Sequence, residues 1–160
     1  MKKANSRLLY LRKAAEYTSS KEDLKQIYIS YVGSILEQSA VVWHSSLSKE
    51  NESDLERVQK NALRIILKEK YVDYNHALLE LDLFSLFYRR EKILSHKFAL
   101  NCIENEKTKK HFPLNIKKHN METRNKDKFI VTNANTERMK NSTIPFLQKV
   151  MNSYENPVNL

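Results

Sequence analysis

Glycine is all but missing from this chain: Gly33 is the only one in 160 residues, and proline occurs only at Pro113, Pro145 and Pro157. Hairpins and bulges of β-proteins use glycine where φ is positive, and α/β nucleotide folds need it where a loop cradles phosphate. One glycine serves neither architecture, so an all-α fold is expected, its helices joined by polar connections. A single cysteine, Cys102, excludes an internal disulfide framework. No Asp-Asp pair occurs, and the five histidines show no His-x-x-x-His spacing. A two-metal phosphoryl-transfer centre and a zinc site are both unexpected on that pattern. The expectation is a chain without catalytic residues, metal or cofactor. Long apolar runs are also lacking. Residues 26–48 carry one charge, Glu37, but include six serines, too polar for a membrane span of about 20 residues. No apolar signal-like run follows Met1, so an intracellular site, nucleus or cytoplasm, is expected.

What the chain has is positive charge: 28 Lys and Arg against 19 Asp and Glu, net +9. Such a surplus favours polyanionic partners, nucleic acid first. The hydrophobic pattern is helical. Leu8, Leu11 and Ala15 form one stripe of a helix over Ser6–Tyr17. Ser19 and Ser20 precede Glu22 and Asp23 as a capping signature, and Leu24, Tyr28, Tyr31 and Ile35 continue the next stripe. Gly33 inside that stripe points to close packing or a kink. Ser48 opens the clearest helix, with acidic residues Glu50, Glu52, Asp54 and Glu56 early and Leu55, Val58, Ala62, Ile65 and Ile66 as its apolar face. Asp73 is placed to cap a short helix at His76–Leu81. Ser85 is placed to start a long one to about Glu104, with Leu86, Phe87, Ile93, Leu94, Phe98 and Cys102 inward. Residues 107–140 then hold ten Lys or Arg and three acidic residues. The expected organisation is a helical bundle of about five helices over residues 1–105. A basic, weakly ordered extension follows over 106–160, with an extended piece near Lys128–Val131 and a short helix at Ile144–Asn152.

Arg57, Lys60, Arg64 and Lys68 recur at i, i+3, i+7 and i+11, which places four cations along one face of the clearest helix. A row of that kind can track a phosphate backbone, and a solvated helix face is the simpler alternative. Arg89 and Arg90 begin a second patch, with Lys92, and Lys117, Lys118 and Arg124 lie on the extension. These residue types contact phosphates, which position a protein without reading base sequence. Trp43 beside Val41 and Val42 reads as core before it reads as a stacking platform.

Several blocks resemble a known family. Residues Arg7-Leu8-Leu9-Tyr10-Leu11-Arg12-Lys13, Val41-Val42-Trp43-His44-Ser45-Ser46-Leu47 and the run 55–67, Leu-Glu-Arg-Val-Gln-Lys-Asn-Ala-Leu-Arg-Ile-Ile-Leu, are similar to the C-terminal part of reverse transcriptases of non-LTR (LINE-type) retrotransposons of the jockey kind. Arg89-Arg90 and residues 136–146 extend the resemblance, which covers nearly the whole chain. The resemblance implies the helical thumb and post-thumb region of an RNA-directed DNA polymerase. That region holds the template–primer duplex while the catalytic palm lies elsewhere. No polymerase activity is implied for these residues. The family commonly has proline or glycine near positions 39–41 and after Leu67, where this chain has neither. The implied partner is an RNA–DNA or other duplex bound independently of sequence. The rival expectations are a protein-interaction module, docking on a polymerase palm or on itself, an independent helical protein, and a functionless remnant of a degraded element.

Overall fold

The computed structural model describes residues 2–18, 20–115 and 128–153. In chain order the α-helices are α1 (Lys2–Tyr17), α2 (Lys21–Ile27), α3 (Ser34–Glu37), α4 (Ala40–Trp43), α5 (Lys49–Leu67) and α6 (Tyr74–Glu80). They continue with α7 (Leu86–Tyr88), α8 (Ser95–Glu104), α9 (Glu106–Lys109), α10 (Glu137–Lys140) and α11 (Thr143–Ser153). Two π-helical segments, Tyr28–Gly33 and Arg89–Leu94, join α2 to α3 and α7 to α8. Among the described residues there is no strand, only one isolated antiparallel bridge between Leu114 and Phe129. The protein is all-α. No helix among the described residues is long and apolar enough to cross a membrane.

The helix starts follow from side-chain capping. Ser20, Ser48, Asp73 and Ser85 each accept a hydrogen bond from the backbone N–H three residues on. Each satisfies a donor that the first helical turn cannot, a contribution of about 1 kcal/mol per cap. Ser19, the other residue of the expected capping pair, lies outside the described residues.

By contacts the chain forms two compact units. The first comprises the residues up to Ser39 and Leu47–Arg89; the second comprises Ala40–Ser46 and the residues from Arg90 onward. The division thus falls within a π segment and not after residue 105. Its cause is that α8 finds its main packing partner in α11, so the end of the long helix belongs with the basic extension.

In the first unit α5 is the central element. Its Val58, Ala62, Leu63, Ile66 and Leu67 are buried against Ala4, Leu8, Leu11 and Ala15 of α1, and Leu24, Tyr28, Val32 and Leu36 complete the core with Ala77, Leu81 and Leu86. Each fully buried aliphatic side chain contributes about 1.5–3 kcal/mol. The polar member of this face is Gln59, only 1% exposed. Its Oε1 accepts from the Tyr74 hydroxyl at 2.8 Å and from the Leu86 N–H at 3.0 Å, and its Nε2 donates to the Phe84 carbonyl at 3.0 Å. One turn earlier, Glu56 accepts from the Phe87 N–H at 2.6 Å and shares the single Tyr74 hydroxyl proton with Gln59. Together they hold α6 and the start of α7 on α5.

The π turns shift the helical phase. Each carries one residue more than an α-turn, so positions beyond it rotate relative to a 3.6-residue pattern. In the first, Val32, Gly33 and Leu36 are buried while Tyr31, expected inward, is exposed beneath the Arg7 guanidinium. In the second, Ser95 and Ala99 are buried, whereas Phe98, expected inward, is exposed; Phe87, before it, is exposed as well. Gly33 has ordinary helical φ, and a methyl group there would meet only the Tyr28 carbonyl oxygen, at 3.5 Å. Its place is thus at the end of a π turn and not at a close helix crossing.

The second unit packs Ala99, Phe112, Phe129, Leu147 and Met151 together, with Cys102 half-buried beside them. Phe112 and Phe129 meet edge to face at 5.9 Å. The expected extended piece is present at Phe129–Ile130. Ile130 N–H donates to the Pro113 carbonyl and Asn115 N–H to that of Lys128, while the Asn152 amide bonds both the N–H and the C=O of Phe129. The 113–115 backbone thus pairs with one set of groups of this piece, and an amide side chain from α11 satisfies the Phe129 groups.

Three non-glycine residues have positive φ: Ser39 (52°), Lys68 (50°) and Asp82 (48°). A Ser39→Gly variant should be more stable by about 1 kcal/mol, since a Cβ disfavours the left-handed region, and its thermal midpoint should rise; a fall would show that Ser39 is held by contacts of its own. A Gln59→Leu variant should lose about 2 kcal/mol in urea unfolding, because the buried Leu86 N–H loses its acceptor. An unchanged urea midpoint would show that the amide does not hold this turn.

Candidate nucleic-acid interface

The charged face of α5 follows from burial of the opposite one. With Val58, Gln59, Ala62, Leu63 and Ile66 in the core, the positions between them are turned outward. Arg57 and Arg64 are exposed and Lys60 is half-exposed. Arg57 is paired with Asp54, Nη2 to Oδ1 at 2.9 Å. Lys60 lies over the Tyr74 ring at 5.0 Å, and the Arg64 guanidinium lies over Tyr71 at 5.2 Å while donating weakly to Asn61 Oδ1 at 3.4 Å. The expected fourth member, Lys68, is past the helix end. Its positive φ turns the chain there, and its Nζ donates to the Ala15 carbonyl of α1 at 2.7 Å. The row is therefore three residues on one helix face and one that bends toward α1.

That bend creates a feature absent from the linear pattern. Arg12, Ala15 and Glu16 of α1 and Arg64, Ile65 and Lys68 line a groove of about 470 Å³. Arg12 lies next to Leu11 and off the Leu8–Leu11–Ala15 stripe of its helix. Its place beside Arg64 depends on the packing of α1 against α5, which no local signal records.

The second expected patch is not a patch. Arg89 is committed to Glu37, with Nη2 to Oε2 at 2.9 Å and a further bond from Nε to Oε1. The hydrogen bond to Glu37 and then its charge hold the Arg89 guanidinium above its ordinary range. Arg90 is fully buried, its Nε donating to His44 Nδ1 at 3.4 Å and its guanidinium 5.8 Å from the Trp43 ring. In that position Arg90 cannot reach a phosphate, which corrects the expectation drawn from the Arg-Arg pair. Trp43 is half-buried beneath it, neither a plain core residue nor a free stacking surface. Lys92 reaches Glu91 at 3.4 Å. Lys117, Lys118 and Arg124 lie outside the described residues.

The acidic residues at the start of α5 do not converge. Asp54 serves Arg57, and Glu56 serves Tyr74 and Phe87. No group of three or more His, Cys, Asp or Glu among the described residues is placed to hold a metal ion. Burial pushes the Cys102 thiol up, away from the reactive thiolate form. Among the described residues, Lys60 and Arg64 give the outer face of α5 its positive charge.

His44 is held below its ordinary range by burial and then by the Arg90 charge, with Glu91 pulling the other way. A depressed histidine is neutral in the fold and takes its proton in the unfolded chain. Its contribution to stability is therefore complete above about pH 6.5 and is lost as the pH falls below that value. The thermal midpoint should drop between pH 6.5 and 5, and His44→Gln should flatten part of that drop. A profile identical in the variant would mean that other groups set the acid sensitivity. Comparison with protein-family models, with curated proteins and with solved structures returns no match to this chain.

Proposed function

We propose that this chain binds nucleic acid through phosphate contacts, independently of base sequence, as a non-catalytic thumb-like segment of a mobile-element reverse transcriptase. The observation that carries the binding reading is the outer face of α5. Lys60 and Arg64 on that face, and Lys68 just past its end, present positive charge that no carboxylate pairs with among the described residues, in a chain of net +9. Spaced along a helix that rises about 1.5 Å per residue, Lys60 and Arg64 are about 6 Å apart, a separation suited to successive backbone phosphates. Tyrosine rings beneath Lys60 and Arg64 hold them in place without cancelling their charge. The retroelement part rests on the resemblance of the sequence blocks.

A second reading has its own observation. Phe84 and Tyr88 stack at 5.1 Å while 52% and 46% exposed, with Phe87 exposed between them. An apolar aromatic surface of that kind suits a protein partner. A mass that rises with concentration in light scattering, without nucleic-acid affinity, favours this reading.

Fluorescence anisotropy of a labelled RNA–DNA hybrid, titrated at two salt concentrations, tests the first. Binding should weaken steeply with salt, since each neutralised phosphate adds about 0.9 to the slope of log K against log salt. Replacing Lys60, Arg64 and Lys68 with Gln should reduce that slope by about 2–3, whereas Arg57→Gln, which removes a cation already paired, should change it little. An unchanged slope in the triple variant would remove α5 from the interface, and absence of binding at low salt would remove the reading itself.

A further inference from the structure

We propose that the groove between α1 and α5 is a seat for a dianionic phosphate monoester, and that its natural occupant is the phosphate at the end of a nucleic-acid strand. The occupant, though not the seat, rests on the nucleic-acid reading above. Arg12, Arg64 and Lys68 face the groove, with Glu16 the single opposing charge and Ala15 and Ile65 its apolar lining. Three cations against one carboxylate leave a formal charge of two. A phosphate monoester carries about −1.5 to −2 at pH 7, whereas an internal phosphodiester carries one negative charge. The charge of the groove therefore matches a strand end, and the single cations farther along α5 match the phosphates within a strand.

Preorganisation strengthens the assignment. Arg64 is fixed over Tyr71, and Lys68 is fixed by its bond to the Ala15 carbonyl, so little side-chain freedom is lost when an anion arrives. Arg12 makes no hydrogen bond or ion pair among the described residues, which leaves its guanidinium fork available to two phosphate oxygens. The groove lies near the C-terminal ends of α1 and α5, where exposed carbonyls repel anions. Here the Ala15 carbonyl is occupied by Lys68 Nζ and the Arg64 carbonyl by the Lys68 N–H. One carbonyl near the end of each helix is thus already engaged by Lys68.

Two measurements on the full chain and on Arg12→Gln and Arg12→Lys test this. Arg12 is exposed and has no partner among the described residues, so neither variant should disturb the fold. In the first, thermal unfolding is followed in sodium phosphate and in sodium chloride at equal ionic strength. The wild type should gain more from phosphate than Arg12→Gln does, with Arg12→Lys between them. In the second, anisotropy compares one oligonucleotide with a terminal phosphate and with a terminal hydroxyl. The wild type should favour the phosphorylated end by about tenfold, the value of one charge-assisted hydrogen bond, and Arg12→Gln should lose that preference. An equal phosphate response in wild type and Arg12→Gln overturns the seat. Salt-dependent binding with no preference for a phosphorylated end overturns the strand end as occupant and leaves the α5 row standing. Phosphate protection that depends on Arg12, with no strand binding at all, supports the seat and defeats the nucleic-acid reading together with the strand end as occupant.

Discussion

Gln59 puts an amide in the middle of an apolar face, and the first unit is arranged around satisfying it. An unpartnered amide in that setting would cost about 1–3 kcal/mol. Tyr74, Phe84 and Leu86 supply the partners, and all three belong to the chain that follows α5. The need to meet those groups, together with Glu56 reaching the Phe87 N–H, fixes where α6 and α7 lie against α5. It also fixes the rotation of α5 about its own axis. Once Gln59 faces inward with Val58, Ala62 and Leu63, Arg57, Lys60 and Arg64 have no direction left but outward.

The same rotation explains why the cations differ in use. Arg57 has Asp54 one turn before it and is half spent on that pair. Lys60 and Arg64 have tyrosines beneath them, which attract a cation through the ring quadrupole but leave its outer side to solvent. Lys68, past the helix end, bonds the Ala15 carbonyl of α1 and shares a groove with Arg12. A row that looks uniform along the sequence is graded in space. Its early end is neutralised, its middle presents single charges, and its far end concentrates several.

Charge alone is a poor guide to which arginines face a partner. Arg89 and Arg90 are adjacent in sequence, and neither is a surface contact. One is bound to Glu37 and the other is buried with His44 and Trp43. A buried guanidinium needs surrounding acceptors and aromatic faces, and those come from residues about 46–52 positions away. The aromatic surface at Phe84 and Tyr88 illustrates the complement: residues with the character of a core that the turn held by Gln59 leaves outside.

The near-absence of glycine, the capping serines and Asp73, and the spacing of Leu8, Leu11, Val58 and Ala62 were enough to establish an all-α protein and the starts of its helices, because caps and apolar periodicity are local properties of the backbone. The cations of α5 were legible for the same reason. The phase beyond each π turn was not, since one added residue rotates Tyr31 and Phe98 outward without any mark in the hydrophobic pattern. Gln59 carries no local signal of its role, because that role depends on acceptors and donors 15–27 residues away. The long helix ending near Glu104 read as the close of one bundle, yet its second half packs with α11. Arg12 beside Arg64, and Arg90 away from solvent, were likewise decided by tertiary packing: sequence spacing sets which residues share a helix face, and only the helices packed against that face determine what the face meets.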